Sequence, residues 1–186
     1  MNILRKLKDY IFSLENKCLF CNYEIIDKSN IEYICNNCFD KLILKEEFLK
    51  IAEVDLFFYS LFKNRYLDLK INNYRNNKGY LYKVFSEILI SGINKNKKIL
   101  EDIDYITCFP EAENKKRGYD INLLICRELS FRLNKKFIDL EKEIIPNNKN
   151  ILLVTLEFSS EEYSGRIKLL RSKNKGKINI ISLTYK

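Results

Sequence analysis

The stretch Ile151-Leu-Leu-Val-Thr-Leu156 is a continuous apolar run, which is typical of a central strand in a parallel sheet that is covered on both faces. Residues at helical spacing follow it as far as Leu170, and Ile178-Asn-Ile-Ile-Ser-Leu183 then predicts a last strand. Strand, helix and strand in this order are the repeating unit of an α/β sheet. The sequence therefore predicts an α/β fold with a parallel sheet.

The segment before this run repeats the same unit. Tyr105-Ile-Thr-Cys-Phe109 predicts a short strand that is stopped by Pro110, and apolar residues at helical spacing predict a helix over 121–133. Cys108 and Cys126 fall on this strand and on the inward side of this helix. We interpret both as small buried hydrophobic residues and assign them no chemical role.

Shorter segments lie further upstream. Aromatic and branched runs at 56–61 and 66–71 flank the polar Lys63-Asn-Arg65 and predict a β-hairpin. Helical periodicity predicts helices over 39–51 and 79–92. We place a domain boundary near residue 51, which divides the chain into an N-terminal module, 1–51, and a larger domain, 52–186.

Length and composition limit the range of functions. The 186 residues indicate one domain, or one domain with a small accessory module, and the 46% hydrophobic and 31% charged residues suffice for a hydrophobic core. The formal net charge of +8 favours polyanionic partners. Histidine is absent, so the chain has no Ser-His-Asp or Cys-His nucleophile pair and no histidine ligand for a metal.

The first fourteen residues predict an amphipathic helix that packs on the protein itself, with a membrane-surface role as the alternative. Lys6, Lys8 and Asp9 interrupt its apolar residues, so we do not interpret it as a secretion signal. No stretch approaches the ~18–20 uncharged apolar residues of a membrane span. We therefore predict a cytoplasmic protein with reduced thiols and no direct membrane insertion. The apolar positions of this helix are Ile3, Leu4, Leu7, Tyr10, Ile11 and Leu14.

Four cysteines form the most specific local pattern, two Cys-x-x-Cys pairs separated by 13 residues. The pairs are Cys18 with Cys21 and Cys35 with Cys38. Each pair places two sulfurs on one side of a tight turn, and two pairs complete a tetrahedral zinc site with Zn–S distances of ~2.3 Å. Because four thiolates leave no open position, we predict a structural zinc ion. An iron–sulfur cluster and two disulfides are the alternatives.

Several further motifs follow the cysteines in a fixed order. They are Tyr74-Arg-Asn-Asn-Lys-Gly79, Cys108-Phe-Pro110, Lys116-Arg-Gly-Tyr119 and Ile151-Leu-Leu-Val154. Together with the cysteines, this order resembles the ComF family, bacterial proteins related to phosphoribosyltransferases and associated with DNA uptake in natural competence. The resemblance covers nearly the whole chain. It implies a phosphoribosyltransferase-like, Rossmann-like parallel sheet preceded by a small four-cysteine zinc module.

The resemblance also implies a degenerate site for phosphoribosyl pyrophosphate. In phosphoribosyltransferases two acidic residues and a Thr-Thr-Gly turn follow the apolar strand, whereas here Thr155 and Leu156 replace the acidic pair and Glu161 replaces the glycine. A carboxylate at that position would repel a phosphate. We therefore expect no catalytic residue and no binding of phosphoribosyl pyrophosphate or Mg²⁺. The alternative is that Glu157, with the hydroxyls of Ser159 and Ser160, still holds this ligand.

Basic residues in predicted loops are the candidates for contact with phosphates, because loops at the carboxyl edge of such a sheet gather around its ligand. A solvated loop is the alternative interpretation for each cluster. Neighbouring tyrosines, Tyr74, Tyr80, Tyr82 and Tyr119, could stack on the bases of a single strand. For Tyr82, a place in the hydrophobic core is an equal alternative. The candidate phosphate-binding residues are Arg75, Lys78, Lys115, Lys116 and Arg117.

The function that we predict is a non-catalytic, ComF-like role in which the protein binds single-stranded DNA during DNA uptake and natural transformation. A helicase or a membrane-channel protein of the uptake machinery is the predicted protein partner. The alternatives are a phosphoribosyltransferase with a divergent phosphoribosyl pyrophosphate loop and a zinc-stabilised protein-interaction module.

Overall fold

The computed structural model describes residues 17–27, 29–76, 78–110 and 120–186, which form one six-stranded sheet with helices on both faces. The strands are β1 (Ile43–Leu49), β2 (Leu56–Phe62), β3 (Tyr105–Thr107), β4 (Lys136–Phe137), β5 (Ile151–Phe158) and β6 (Ile178–Tyr185). The helices are α1 (Asn36–Phe39), α2 (Arg65–Arg75), α3 (Tyr82–Lys95), α4 (Ile121–Arg132) and α5 (Ser160–Lys173), and short 3₁₀ turns span Gly79–Leu81 and Lys97–Leu100.

The strand order is β1-β2-β6-β5-β3-β4. β1 is antiparallel to β2, and the other neighbouring pairs are parallel. β5 and β6 lie at the centre, and their side chains are buried along almost their whole length. The predicted α/β fold is therefore confirmed, with a sheet that is mostly parallel apart from the antiparallel β1. The assignment of the apolar run from Ile151 to the centre of the sheet is confirmed as well.

The helices divide between the two faces of the sheet. α2, α3 and α4 pack on one face, where Leu152, Val154 and Leu156 of β5 point. On the other face α5 packs over Ile151 and Leu153. Burial on both faces explains why the β5 sequence is a continuous apolar run rather than an alternating one.

The connections reverse direction between β3 and β5. From β3 the chain passes through α4 outwards to β4, and from β5 it passes through α5 to β6 on the other side. Sheets of this kind bind ligands in the crevice at such a reversal, at the carboxyl ends of the strands. Here the Asn122 side chain spans the crevice, because its Oδ1 accepts from the Leu156 N–H (3.0 Å) and its Nδ2 donates to the Phe109 carbonyl (3.4 Å).

The predicted strand over 66–71 is wrong, because these residues belong to α2. The Asn64 side chain accepts a hydrogen bond from the Leu67 N–H (2.8 Å) and caps the helix. Leu67, Ile71 and Tyr74 are buried at helical spacing against the core. The hairpin that we predicted at this point does not form.

The predicted helix over 39–51 is also wrong, because most of it is the edge strand β1. Ile43 pairs with Phe62 of β2, and the Phe48 and Phe58 ring centroids lie 5.0 Å apart. A register shift between Leu44 and Glu47 interrupts the pairing at Glu46, whose φ is 49°. β1 thus joins the sheet although it precedes residue 51, and the division into 1–51 and 52–186 stays a prediction.

The other predicted elements match the structure apart from their ends. The predicted helices over 79–92 and 121–133 correspond to α3 and α4, and the short strand before Pro110 is β3. Cys108 and Cys126 are buried in the core, as predicted. The predicted N-terminal helix lies outside the described residues.

Candidate functional site

The four cysteines of the two Cys-x-x-Cys pairs meet in one cluster. Their sulfur atoms all lie within 4.8 Å of one another, and the Cys21 and Cys35 sulfurs are 3.8 Å apart. A tetrahedron of sulfurs around zinc has edges of roughly 3.8 Å, given Zn–S bonds of ~2.3 Å. All six cysteines of the chain lie in its described part and are free thiols. Cys18, Cys21, Cys35 and Cys38 could therefore bind a metal ion such as zinc.

Two different turns shape the two cysteine pairs. In the first, the Asn22 N–H donates to the Cys18 carbonyl (2.7 Å), and Asn22 has a positive φ of 64°, which asparagine tolerates better than most residues. In the second, Cys35 precedes α1, and its carbonyl accepts from the N–H groups of Cys38 and Phe39, each at 3.0 Å. Together the two turns bring all four sulfurs within 4.8 Å of one another.

The surroundings of the four thiols differ. Burial acts to raise the pKa of Cys18, but the backbone N–H groups of Cys35, Cys21 and Phe20 favour its thiolate, and the pKa falls to about 7. Burial raises the pKa of Cys38 and, to a smaller degree, that of Cys21. The backbone N–H groups thus favour the thiolate at Cys18, whereas burial favours the neutral thiols at Cys21 and Cys38.

The cysteine cluster is fixed to the helices on one face of the sheet. Phe20, between Cys18 and Cys21, packs against Phe85 of α3 and Tyr66 of α2, with ring centroids 6.0 Å and 6.1 Å apart. The Lys70 ammonium of α2 donates to the Phe20 carbonyl (2.7 Å). The four-cysteine turns and the sheet thus share one hydrophobic core.

A second cluster lies at the carboxyl edge of the sheet, around Glu157 of β5. This carboxylate is only 5% exposed. Among the described residues, three cations contact it: Lys63 Nζ at 2.9 Å, Arg75 Nη1 at 2.5 Å and Lys186 Nζ at 3.5 Å. Burial acts to raise the pKa of Glu157, but Lys63, Arg75 and Lys186 hold it below its usual value. The pKa of Lys63 is raised in turn, because attraction by Glu157 outweighs burial.

The other residues of the predicted degenerate loop are engaged within the fold. Thr155 is buried, and its hydroxyl lies 2.9 Å from the Tyr163 hydroxyl and donates to the Glu157 carbonyl (3.0 Å). Leu156 is part of the hydrophobic core. Ser159 occupies the N-cap position of α5 without a side-chain capping bond to any described residue, and the Ser160 Oγ lies 3.4 Å from the Tyr185 hydroxyl.

The predicted phosphate-binding residues fall into three groups. Arg75 lies at the carboxyl edge on Glu157, and Lys78 follows the end of α2. Lys115, Lys116 and Arg117 lie outside the described residues. Residues 108–110 follow the end of β3, and Asp120 caps the start of α4 by accepting from the Leu123 N–H (2.8 Å).

The predicted stacking role of Tyr74 is wrong. Tyr74 is fully buried, and its hydroxyl donates to the Ile121 carbonyl (2.7 Å) in the core. Tyr82 packs against the core, whereas Tyr80 is exposed. Tyr119 lies outside the described residues.

Three lysines at these two sites were not among the site residues predicted from the sequence. Lys63 and Lys186 contact Glu157 from distant parts of the chain, and no local pattern signals either contact. Lys70 could have been recognised from the sequence, because it lies at helical spacing from Leu67 and Tyr74 on the side of the helix that faces the core. A lysine on an apolar helix face is rare unless its charge has a partner.

A scan against protein-family models finds no match to this chain, and a search of curated proteins also finds none. Within the described residues, no helix has the length and apolar character needed to cross a membrane. The fold and the cluster define the class, an α/β protein with a mostly parallel sheet and a candidate four-cysteine metal site.

Proposed function

We propose that this chain is a non-catalytic, ComF-like protein whose cysteine cluster holds a structural zinc ion and whose sheet edge binds single-stranded DNA. The observation that carries the DNA part is the excess of positive charge around Glu157. Lys63, Arg75 and Lys186 bring three positive charges to one buried carboxylate. The Asp68 carboxylate also lies 3.3 Å from the Lys63 ammonium, so among the described residues the cluster holds three cations and two carboxylates. The cluster therefore presents a surplus of cations at the edge where sheets of this kind bind ligands.

An exposed aromatic ring beside these cations supports contact with a single strand. Phe62, the last residue of β2, is 49% exposed and directly precedes Lys63. Aromatic rings that stack on bases, next to cations that follow the phosphates, are the usual means of binding single strands without sequence preference. β3 ends and α4 begins at the same edge of the sheet, and the sequence between Pro110 and Asp120 contains the basic Lys115, Lys116 and Arg117.

The donor set of the cysteine cluster supports zinc as its ion. Cys18, Cys21, Cys35 and Cys38 would hold it, and four sulfur ligands at this spacing suit a closed tetrahedral site. A zinc ion there contributes folding free energy to the short segments around it. No substrate position is left on such an ion, so we assign it no catalytic role.

The contacts of Glu157 weigh against the phosphoribosyltransferase alternative. A carboxylate that orients ribose hydroxyls has to be free to accept from them, whereas Glu157 is enclosed by three cations of its own chain. Thr155 is buried against Tyr163. We therefore propose a phosphoribosyltransferase-like sheet that has lost the ligand of that class. The role in DNA uptake and the helicase or channel partner rest on the resemblance of the sequence motifs.

Thermal unfolding with two ligands tests this function. A single-stranded oligonucleotide at low salt should raise the melting temperature, and phosphoribosyl pyrophosphate with Mg²⁺ should leave it unchanged, since only a ligand of the folded state stabilises it. A rise with phosphoribosyl pyrophosphate that is lost in Glu157→Gln would favour the transferase alternative. If neither ligand raises the melting temperature, the protein-interaction module becomes the favoured alternative.

A further inference from the structure

A buried ammonium lies beside the cysteine cluster. Lys70 of α2 is only 8% exposed, and its Nζ donates to the carbonyl of Phe20, which is placed between Cys18 and Cys21. No carboxylate of the described residues forms an ion pair with it. An ammonium in the interior is costly unless negative charge compensates it. A single carbonyl oxygen supplies only part of that compensation.

Two aromatic rings hold this ammonium in place. The Lys70 Nζ lies 5.0 Å from the ring centroid of Tyr66 and 5.5 Å from that of Phe20, within the range of cation–π attraction. The Tyr66 hydroxyl is buried and has no hydrogen-bond partner among the described residues. The Tyr66 ring also packs edge-on against the Phe20 ring, so both rings line the side of the cysteine turn that faces Lys70.

We infer that Lys70 is a positioning residue of the metal centre, whose positive charge offsets the negative charge of a divalent ion bound by four thiolates. This inference rests on the metal-binding part of the proposed function. Four thiolates around a divalent cation carry a net charge of −2, and a nearby ammonium in a medium of low dielectric constant lowers its free energy. The same charge explains why an ammonium is buried at this position.

Three variants of the reduced 186-residue chain separate charge from hydrogen bonding. Lys70→Gln keeps a donor for the Phe20 carbonyl but removes the charge, and Lys70→Arg keeps the charge. Lys41→Gln is the matched control, because Lys41 Nζ lies 5.6 Å from the same Tyr66 ring but is exposed to water. The measurement is the affinity for Zn²⁺ in competition with a chromophoric chelator.

The expected loss for Lys70→Gln is about 10–100-fold in Zn²⁺ affinity, the usual effect of removing a partner just outside the ligands. Lys70→Arg and Lys41→Gln should stay within about threefold of the unmodified protein, because a retained charge compensates and an exposed charge is screened. The pH at which half of the metal is released should rise in Lys70→Gln alone. An affinity of Lys70→Gln within threefold, or an equal loss in Lys70→Arg, would overturn the inference.

Melting temperatures measured with and without metal distinguish charge compensation by Lys70 from a role of Lys70 in packing alone. Lys70→Gln should lower the melting temperature of the Zn²⁺-loaded protein but not that of the protein in chelator, where the ammonium lacks its counter-charge. An equal loss in both states, or failure to fold in either, would contradict the inference. The Co²⁺–thiolate absorption of the unmodified protein is a separate readout, and its absence would refute the metal site itself rather than the role of Lys70.

Discussion

Glu157 has surroundings in the structure that differ from those expected if it bound the ribose of phosphoribosyl pyrophosphate. From the sequence it was a candidate ribose ligand, because it follows Thr155 and Leu156 at the end of the apolar run. In the structure its carboxylate is enclosed by Lys63, Arg75 and Lys186. A buried carboxylate with several cationic neighbours stabilises the fold as long as it is ionised.

Replacing Glu157 by Gln should therefore lower the free energy of unfolding at neutral pH by about 1–3 kcal/mol, the cost of leaving buried polar groups unpaired. Because the folded-state pKa of Glu157 is depressed, its contribution is present above the unfolded pKa of about 4.3 and disappears as the pH falls through the folded-state value. Urea unfolding of both proteins between pH 7 and pH 3 measures how this difference in the free energy of unfolding depends on pH.

The control for this change is Glu162→Gln in the first turn of α5, where the side chain is exposed. It should alter the free energy of unfolding by no more than about 0.5 kcal/mol. A difference between Glu157→Gln and the unmodified protein that stays constant down to pH 3 would contradict an ionised, stabilising Glu157.

The cysteine cluster leads to a second prediction for single residues. Purified protein should carry one zinc ion per chain, and Cys18→Ser should lose it, because a closed four-sulfur site depends on every ligand. Cys108→Ser is the matched control, since Cys108 is buried outside the cluster and should retain the metal. Elemental analysis provides the count. A visible iron–sulfur absorbance, or protein without metal, would show that the zinc assignment is wrong.

Among the elements, the helices α2 and α5 differ in how their first turns are capped. The Asn64 side chain caps α2 through the Leu67 N–H, whereas Ser159 makes no side-chain capping bond to any described residue at the start of α5. Asn64→Ala should cost about 1 kcal/mol, and Ser159→Ala should change stability by less than about 0.5 kcal/mol. Urea unfolding of both variants measures the difference. Equal losses would mean that the two caps are equivalent.

The same elements explain which parts of the fold could be predicted. α2 has its own local signals, since Asn64 precedes apolar residues at helical spacing, and the hairpin interpretation overlooked them. β1 has none, because residues such as Lys45 and Glu47 become a strand only by pairing with β2. β5 was predictable, because burial on both faces requires an uninterrupted apolar sequence.

At the scale of the molecule, the local spacing of residues predicted the cysteine cluster but could not predict the cluster of cations around Glu157. The four cysteines lie in two short motifs, so their spacing alone indicates a shared metal ion. The cations around Glu157 come from Lys63, Arg75 and Lys186, in three separate segments that only the sheet brings together. A single sequence carries no signal for such long-range contacts.

We expect single-stranded DNA to bind at the carboxyl edge of the sheet rather than to the net positive charge in general. Two double variants, each with two cations fewer, separate these possibilities. Lys63→Ala with Lys186→Ala removes charge at the carboxyl edge. Lys149→Ala with Lys177→Ala removes charge at the opposite edge, where both lysines pair with aspartates.

The most direct measurement is the affinity of these two variants and the unmodified protein for a single-stranded oligonucleotide as a function of salt concentration. Each phosphate neutralised on a single strand contributes about 0.7 to the logarithmic salt slope, so the carboxyl-edge variant should bind more weakly with a slope reduced by up to about 1.4. The opposite-edge variant should resemble the unmodified protein. Equal losses of affinity in both variants, or no binding to the unmodified protein at low salt, would contradict DNA binding at the carboxyl edge.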